Sequence, residues 1–500
     1  MNFQHGDGVS LLIGMRNLTP IKTIGVVGAG VSGLAAARLL TQAGFECELF
    51  EKGGKLGGVW SAGYHTFGLQ TPKSLYEIPD YPMPDSYPRV PSGEELQAYF
   101  ENYARDFGIF EKIRFNTDVL GLDREADGKW TVEFTDKSAA QRERKTFDFI
   151  VVASGLYFDP YIPEIAGREK FQGEILHTKD YLSPSTVAGK KAVVVGFGKS
   201  ALDVVGEAAK FARETTLVYR KAHWPIPMDI LDVLDVRRIY LTRLASAFLP
   251  LYLRPEPWEQ RLHRSFSWLV NGFWRLTEAI IKFQYPLKAC DALSDEPMEI
   301  DIFNLDFLPR KEVYRLMRKG TINNEHTTIK EFTANGVTLE NGRHIDCDVV
   351  IFGTGYRSNT KWLPESFNTL HEPDGVYLYR HILHPDLGNM AFIGRAATFS
   401  NSLTAHLASV WLVHWLTGQF EVPGREAMLA EIEAIKQWKR SFMPAISSRS
   451  TVIKLHMIHY HDELLNDLGI NPRRKFNRLA ELLSDYRPRD YRKVLEAIGK

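Results

Sequence analysis

The sequence predicts an α/β chain built on two parallel β-α-β units, with a helical insertion and a helical C-terminal extension. Three observations predict it. A buried strand, a glycine turn, an alanine-rich helix and a second strand follow one another from residue 21, and the same order returns from residue 192. After the second unit comes an aromatic-rich stretch with apolar residues at three- and four-residue steps, and a further amphipathic pattern fills residues 425–442.

In the first unit, residues 21–27 read as a short, fully buried strand, followed at once by Gly28-Ala29-Gly30-Val31-Ser32-Gly33. Residues 34–43 form the helix, Gly44 ends it, and residues 45–50 form a strand that closes on Glu51 and Lys52. Each glycine has a physical task. Gly28 makes the tight turn, Gly30 lets the backbone approach a pyrophosphate, and Gly33 lets helix pack on strand. The helix N-terminus offers free N–H groups to phosphate, and Glu51 stands where a carboxylate holds ribose hydroxyls. Downstream, Gly57-Gly58-Val59-Trp60 makes a second glycine turn ending in an aromatic able to flank a large cofactor, which favours FAD over NAD here.

In the second unit, residues 192–195 form the strand, Gly196-Phe197-Gly198-Lys199-Ser200-Ala201 the turn, and the helix runs to about residue 211 with Asp203 in its first turns. Ala201 suffices in the third glycine place, where packing needs only a small side chain. The next strand, 215–219, ends on Arg220-Lys221 rather than on an acid. An acid would repel a 2′-phosphate and a guanidinium would bind it, so this unit is expected to take NADPH. Two such units together define two dinucleotide-binding (Rossmann-like) domains, passing hydride from a nicotinamide to a flavin.

Composition excludes several alternatives. Sixty-one basic and sixty-one acidic residues balance, so no nucleic-acid footprint is present. Cys47, Cys290 and Cys347 are scattered, giving neither a disulfide framework nor metal spacing; they read as buried small hydrophobes in a reducing cytoplasm. No window reaches the apolar length of a membrane span, and residues 405–416, the most apolar run, contain two histidines and read as a buried helix. Residues 9–13 are too short for a signal sequence.

Between the units, Phe171-Gln172-Gly173-Glu174-Ile175-Leu176-His177-Thr178-Lys179-Asp180-Tyr181 resembles the FxGxxxHxxxY/F fingerprint of the flavin-containing monooxygenases, class B flavoproteins. The resemblance extends to Gly57-Gly58-Val59-Trp60, to Asp348 through Gly353-Thr354-Gly355-Tyr356, and to Phe392-Ile393-Gly394, covering roughly residues 21–420. It implies FAD and NADPH as cofactors, with a small organic molecule and O2 as substrates. It further implies a C4a-hydroperoxyflavin that oxygenates a soft nucleophile, an amine nitrogen or thioether sulfur, as in an N,N-dimethylaniline monooxygenase. Val119 would lie near the adenine, and Gly353, Thr354 and Gly355 beside the cofactors. Three departures stand out. Gly353 replaces an alanine, which reads as a minor change. Pro72 follows Thr71 where animal members have Thr-Asn, so the amide beside the flavin is missing or supplied from elsewhere. The tail 487–500 is charged, without an apolar anchor. No catalytic residue is assigned: Thr71 and Pro72 are expected near the flavin, and His177 is expected to couple the domains.

The expected organisation is a leader 1–20, an FAD domain 21–165 with strands at 115–122 and 130–134, an NADPH domain 166–225, a helical insertion 226–310, NADPH-domain residues 311–344, FAD-domain residues 345–420 and a helical extension 421–500. In the insertion, Leu262, Phe266, Leu269, Phe273, Leu276 and Ile280, with Trp258, Trp268 and Trp274, are expected mostly to pack on the domain pair; a channel wall or a homodimer surface is the other reading. For function, the rivals are Baeyer–Villiger or indole-pyruvate-type oxygenation of a carbonyl, and a non-catalytic nucleotide-binding redox sensor. The absence of a CxxC pair removes a disulfide reductase.

Overall fold

The computed structural model describes residues 21–498 apart from 137–140, 158, 305–310 and 358–359. The expected leader and the last residues of the insertion lie outside the described residues.

Each glycine unit forms the middle of a five-stranded parallel sheet. The first sheet runs Met390–Phe392, Phe149–Val152, Thr23–Val27, Glu46–Phe50, Ile113–Arg114. The second runs Asn323–His326, Glu214–Tyr219, Lys191–Val195, Val349–Phe352, Glu174–His177. Helices cover such sheets, so their central strands read as continuous apolar runs; all four residues of Phe149–Val152 and of Val349–Phe352 are buried.

One expectation is corrected here. The sequence places residues 345–355 in the FAD domain, but Val349–Phe352 lies in the second sheet, between Lys191–Val195 and Glu174–His177. Asp348 sets that register: its N–H donates to the Lys191 carbonyl at 2.9 Å, and its carboxylate accepts the Lys191 N–H at 2.7 Å. A run of buried β-branched residues carries no label for its sheet; the end-to-end pairing of Asp348 with Lys191 decides it. The chain returns to the first sheet with Met390–Phe392 instead.

The linkers leaving the two sheets pair with each other, Asp159–Pro160 antiparallel to Tyr356–Arg357. A three-stranded meander, Thr117–Arg124, Trp130–Asp136 and Gln141–Phe147, sits beside the first sheet. Helix Asn401–Leu416, buried from Ser402 to Val413, packs on Val31–Gln42, and helix Arg425–Phe442 follows as its periodicity predicts. All three cysteines are buried and free.

The insertion departs most from its pattern. The helical repeat breaks at Phe266 into Pro257–Ser265 and Ser267–Gln284. The second helix buries Val270, Trp274 and Ile281, whereas Trp258, Phe266, Trp268, Leu269 and Leu276 are exposed. Most of the side chains expected to pack on the domains therefore do not. With apolar residues around most of this helix, the period alone does not choose which stripe is buried.

Candidate active site

The first glycine turn is drawn tight against its surroundings. Gly28 adopts φ +103°, and a Cβ there would meet the Ala153 carbonyl oxygen at 2.6 Å. A Cβ on Gly33 would lie 1.9 Å from the Gly28 carbonyl oxygen, so helix and strand touch through these two residues. Gly30 is different. Its φ is −76°, open to any residue, and the nearest atom to a Cβ there is Gly58 Cα at 3.6 Å. Neither conformation nor protein packing requires a glycine at 30, which leaves ligand approach as the physical reason. Gly58, at φ +61°, lies against it, so two bare backbones form a groove at the helix N-terminus.

Gly30 is the N-cap of Val31–Gln42 and offers no side-chain cap, leaving the first-turn N–H groups of Val31, Ser32 and Gly33 open to an anion. Glu51 arches back over the turn, one carboxylate oxygen accepting from Ala29 N–H at 2.9 Å and the other from Gly53 N–H at 2.8 Å. Lys52 points outward and pairs with Asp118 at 3.0 Å. Val119 is buried in the cluster containing Phe50 and Phe134. Trp60 stacks on Phe67 at 4.9 Å, and Val59 is exposed.

Among the described residues the structure leaves buried polar atoms without partners: Thr71 Oγ1, Gln70 Oε1 and both side-chain amide atoms of Gln97. Buried polar groups are ordinarily satisfied. Gln97 borders Gly57, whose N–H donates to the Ala29 carbonyl at 2.9 Å, so its unpaired amide belongs to the glycine groove. An open glycine cradle bordered by the unsatisfied amide of Gln97 fits a flavin dinucleotide. Sequence reasoning missed Gln70 and Gln97. Gln70 adjoins the Thr71-Pro72 pair and was legible by proximity, whereas Gln97 is brought in by the helix Gly93–Asp106 and carries no local signal.

The second turn repeats the construction with one exchange. Gly196 adopts φ +119°, and a Cβ there would meet the Gly353 carbonyl oxygen at 2.5 Å. A Cβ on Gly353 would stand 2.6 Å from Ala201 Cβ. The glycine at 353 is therefore not the minor change the sequence suggested. Ala201 fills the space that a third glycine would leave, and Gly353 vacates the matching space across from it. Gly198 caps helix Lys199–Phe211 without a side-chain bond, exposing the N–H groups of Ser200 and Ala201.

Lys199 and Asp203 pair with each other, and Asp203 also accepts from Tyr64 Oη at 2.7 Å. His65 bonds Glu207 at 2.9 Å. The first domain thus grips the second domain's helix through residues 64 and 65. Arg220 ends the strand Glu214–Tyr219 exposed, whereas Lys221 is held by Glu296 at 2.6 Å.

His177 stands at the domain linkers. Lys179 N–H donates to its Nδ1 at 3.2 Å, which leaves Nε2–H to donate to the Gly355 carbonyl at 3.0 Å. That carbonyl also accepts from Tyr161 N–H at 2.9 Å, and the Thr354 hydroxyl bonds the Tyr161 carbonyl. Burial lowers the His177 pKa, which keeps the ring neutral.

A cavity of about 590 Å³ opens where the parts meet. His65–Gln70 and Val90–Ser92 of the first domain line one side, Lys199 and Asp203 the other, and Met228, Asp229, Gln284 and Tyr285 of the insertion close it. Thr71 and Pro72 are buried just behind Gln70. Lys73 does not reach the cavity; its ammonium donates to the Pro84 and Tyr87 carbonyls at 2.7 and 2.8 Å and fixes the loop that forms one rim.

Comparison with known proteins agrees with this architecture. A family model described as flavin-binding monooxygenase-like matches residues 21–482. The chain is 31% identical to "Probable flavin-containing monooxygenase 1" of Arabidopsis thaliana, covering 94% of this chain and 96% of that protein. It is 28% identical to "Dimethylaniline monooxygenase (N-oxide-forming) 2" of Rattus norvegicus, covering 90% and 83%. Among solved structures, S-allyl-L-cysteine S-oxygenase from Allium sativum superimposes with a TM-score of 0.62 at 20% identity, over 96% of each chain. No helix among the described residues is long and apolar enough to cross a membrane. With its two glycine folds in order and the family model matched along nearly its whole length, the chain belongs to the flavin-binding monooxygenase-like family.

Proposed function

We propose that this FAD- and NADPH-dependent monooxygenase inserts one oxygen atom of O2 into a soft nucleophile, a thioether sulfur or an amine nitrogen, of a small organic molecule. The observation that carries the reading is the junction cavity, lined by residues 65–70 of the first domain and by Lys199 of the second glycine turn, with most of its charged groups paired. Asp203 is taken by Lys199 and Tyr64, Asp229 by Arg89 at 2.8 Å, and Asp232 by Lys311 at 2.6 Å. Most of the wall is thus mutually neutralised, and Glu95 is held in its helix's capping box by the Ser92 N–H, which suits a substrate that needs no acid or base.

FAD would be held by Gly28, Ala29, Gly30 and the helix N–H groups behind them, with Glu51 at the ribose. NADPH would be held by Gly196, Gly198, Ser200 and Arg220. When bound, the flavin takes hydride from NADPH and activates O2. The chain's own residues would bind and orient the two nucleotides, and Tyr64, His65 and the Lys73-anchored loop hold the two domains and the cavity rim in place around them. Pro72 has no N–H to give and no amide side chain. We assign the missing amide beside the flavin to Gln70, whose carbonyl is unpaired. The partners of the reaction are small molecules, and the three reduced, buried cysteines fit a cytoplasmic protein.

Purified protein given NADPH and O2 should convert a methyl thioether and a tertiary amine to products one oxygen atom heavier. A cyclic ketone should remain unchanged. Lactone formation from the ketone, with the thioether and amine untouched, would replace this reading by Baeyer–Villiger oxygenation. NADPH binding without turnover of any of the three would make the chain a nucleotide sensor.

A further inference from the structure

Arg395 is a cation without a counter-charge. It is partly buried, and among the described residues no carboxylate pairs with it and no carbonyl accepts from it. Its guanidinium lies 5.6 Å over each of the Phe367 and Phe392 rings. Burial pulls its pKa down to about 10, and no opposing charge raises it as Asp80 does for Arg38. Cations at such depth are ordinarily paired, and holding one unpaired costs stability. A partner that arrives with a ligand removes that cost.

The position of Arg395 names the ligand. Phe50, Val27, Val152 and Phe392 are successive register partners, one row across the outgoing ends of four parallel strands of the first sheet. At about 4.8 Å per strand the row is about 14 Å long. Glu51 follows one end, the glycine turn leaves from Val27 within it, and Arg395 stands three residues beyond the other end. In open parallel sheets ligands lie across this edge. A dinucleotide with its adenosine ribose at Glu51 therefore runs over the glycine turn towards Arg395. Gly394 adopts φ +94°, and a Cβ there would meet the Ser32 hydroxyl and stand 3.1 Å from Ser32 Cβ. The chain entering Arg395 thus presses on the first turn of helix Val31–Gln42. Charge gives a second argument. A diphosphate diester is a dianion, whereas a helix N-terminus offers about half a positive charge. Other cations around the turn are committed: Lys52 pairs with Asp118 at 3.0 Å, Arg38 with Asp80, and Arg114 with Glu48 and Glu143, while Lys55 is exposed.

We propose that, resting on the FAD site read above, Arg395 is the counter-charge of the FAD diphosphate. Arg395→Met keeps an apolar stem over the two phenylalanines and removes the charge. FAD released on dilution of the yellow protein, followed by flavin fluorescence, should report a Kd raised about 10–100-fold through the loss of charge-assisted hydrogen bonds. Arg395→Lys should lose less, keeping the charge without the planar fork. ADP carries the diphosphate and no flavin ring, so it should weaken by the same factor. The ADP-to-FAD ratio that displaces half of the flavin should then stay as in the wild type. Urea unfolding separates a ligand role from a structural one. With FAD saturating, the wild type should be the more stable; as free FAD is withdrawn the order should reverse, because the variant no longer holds an unpaired charge. An unchanged FAD Kd in Arg395→Met would overturn the proposal. So would a lower displacement ratio, which moves the guanidinium to the flavin ring, or a variant less stable at every FAD concentration, which makes Arg395 a structural cation. A colourless wild type would remove the FAD site itself and the proposal with it.

Discussion

Replacing Arg220 by alanine tests the coenzyme assignment most directly. Arg220 follows the second strand of the second glycine unit, exposed, at the place where an acid would hold the ribose of NAD. Lys221, the neighbouring cation, is tied to Glu296 at 2.6 Å and is therefore a poor substitute. Hydrogen bonds to a charged group contribute about 1.5–3 kcal/mol, equivalent to a 10–100-fold change in affinity. Solvent around an exposed guanidinium screens the interaction and sets the expectation near the lower figure, about tenfold. Arg220→Ala should raise the KM for NADPH by that factor, leave NADH unchanged and leave the flavin bound. Freeing Lys221 by Glu296→Gln should restore part of the NADPH affinity in the Arg220→Ala background. Stopped-flow reduction at varied NADPH and NADH measures all of these. An unaltered NADPH/NADH preference in Arg220→Ala would refute the reasoning and leave Arg220 a surface charge.

Four further outcomes are expected. Gly353→Ala should destabilise the protein by about 1–3 kcal/mol through overpacking against Ala201, and Ala201→Gly should rescue it; additive losses in urea unfolding of the double variant would contradict the pairing. Gly30→Val should fold and lose its flavin, whereas Gly33→Val should fail to fold, as absorbance at 450 nm and circular dichroism will distinguish. Gln70→Leu should lower the product formed per NADPH oxidised and raise hydrogen peroxide release, and unchanged coupling would remove Gln70 from the site. The last concerns pH. Burial holds the pKa of His406 down at about 4 and that of His461 at about 3, against about 6.5 unfolded. The unfolded chain therefore binds more protons below pH 6.5, and stability should fall as pH drops through 6.5 towards 4. The loss is about 2 kcal/mol per ring at pH 5. Urea midpoints at pH 8 and pH 5 check it, and His461→Asn should weaken the dependence.

Much of the fold around the candidate site was legible because it is built locally. Within each unit the glycine turn, its helix and the strand end, at Glu51 or at Arg220, lie within about thirty residues of one another, the length of one β-α-β unit. Periodicity and turn chemistry act over that range, so helix Lys199–Phe211 and helix Arg425–Phe442 appear where the pattern puts them. What the tertiary structure alone decided is long-range. Val349–Phe352 joined the second sheet through the pairing of Asp348 with Lys191, 157 positions apart. Gly353 became intelligible only against Ala201, and Gln97 entered the glycine groove only by the packing of its helix. In the insertion, apolar residues occupy more than one stripe of the helix, and burying one necessarily exposes another. A sequence period gives the stripes, but only the surface they meet selects which is covered.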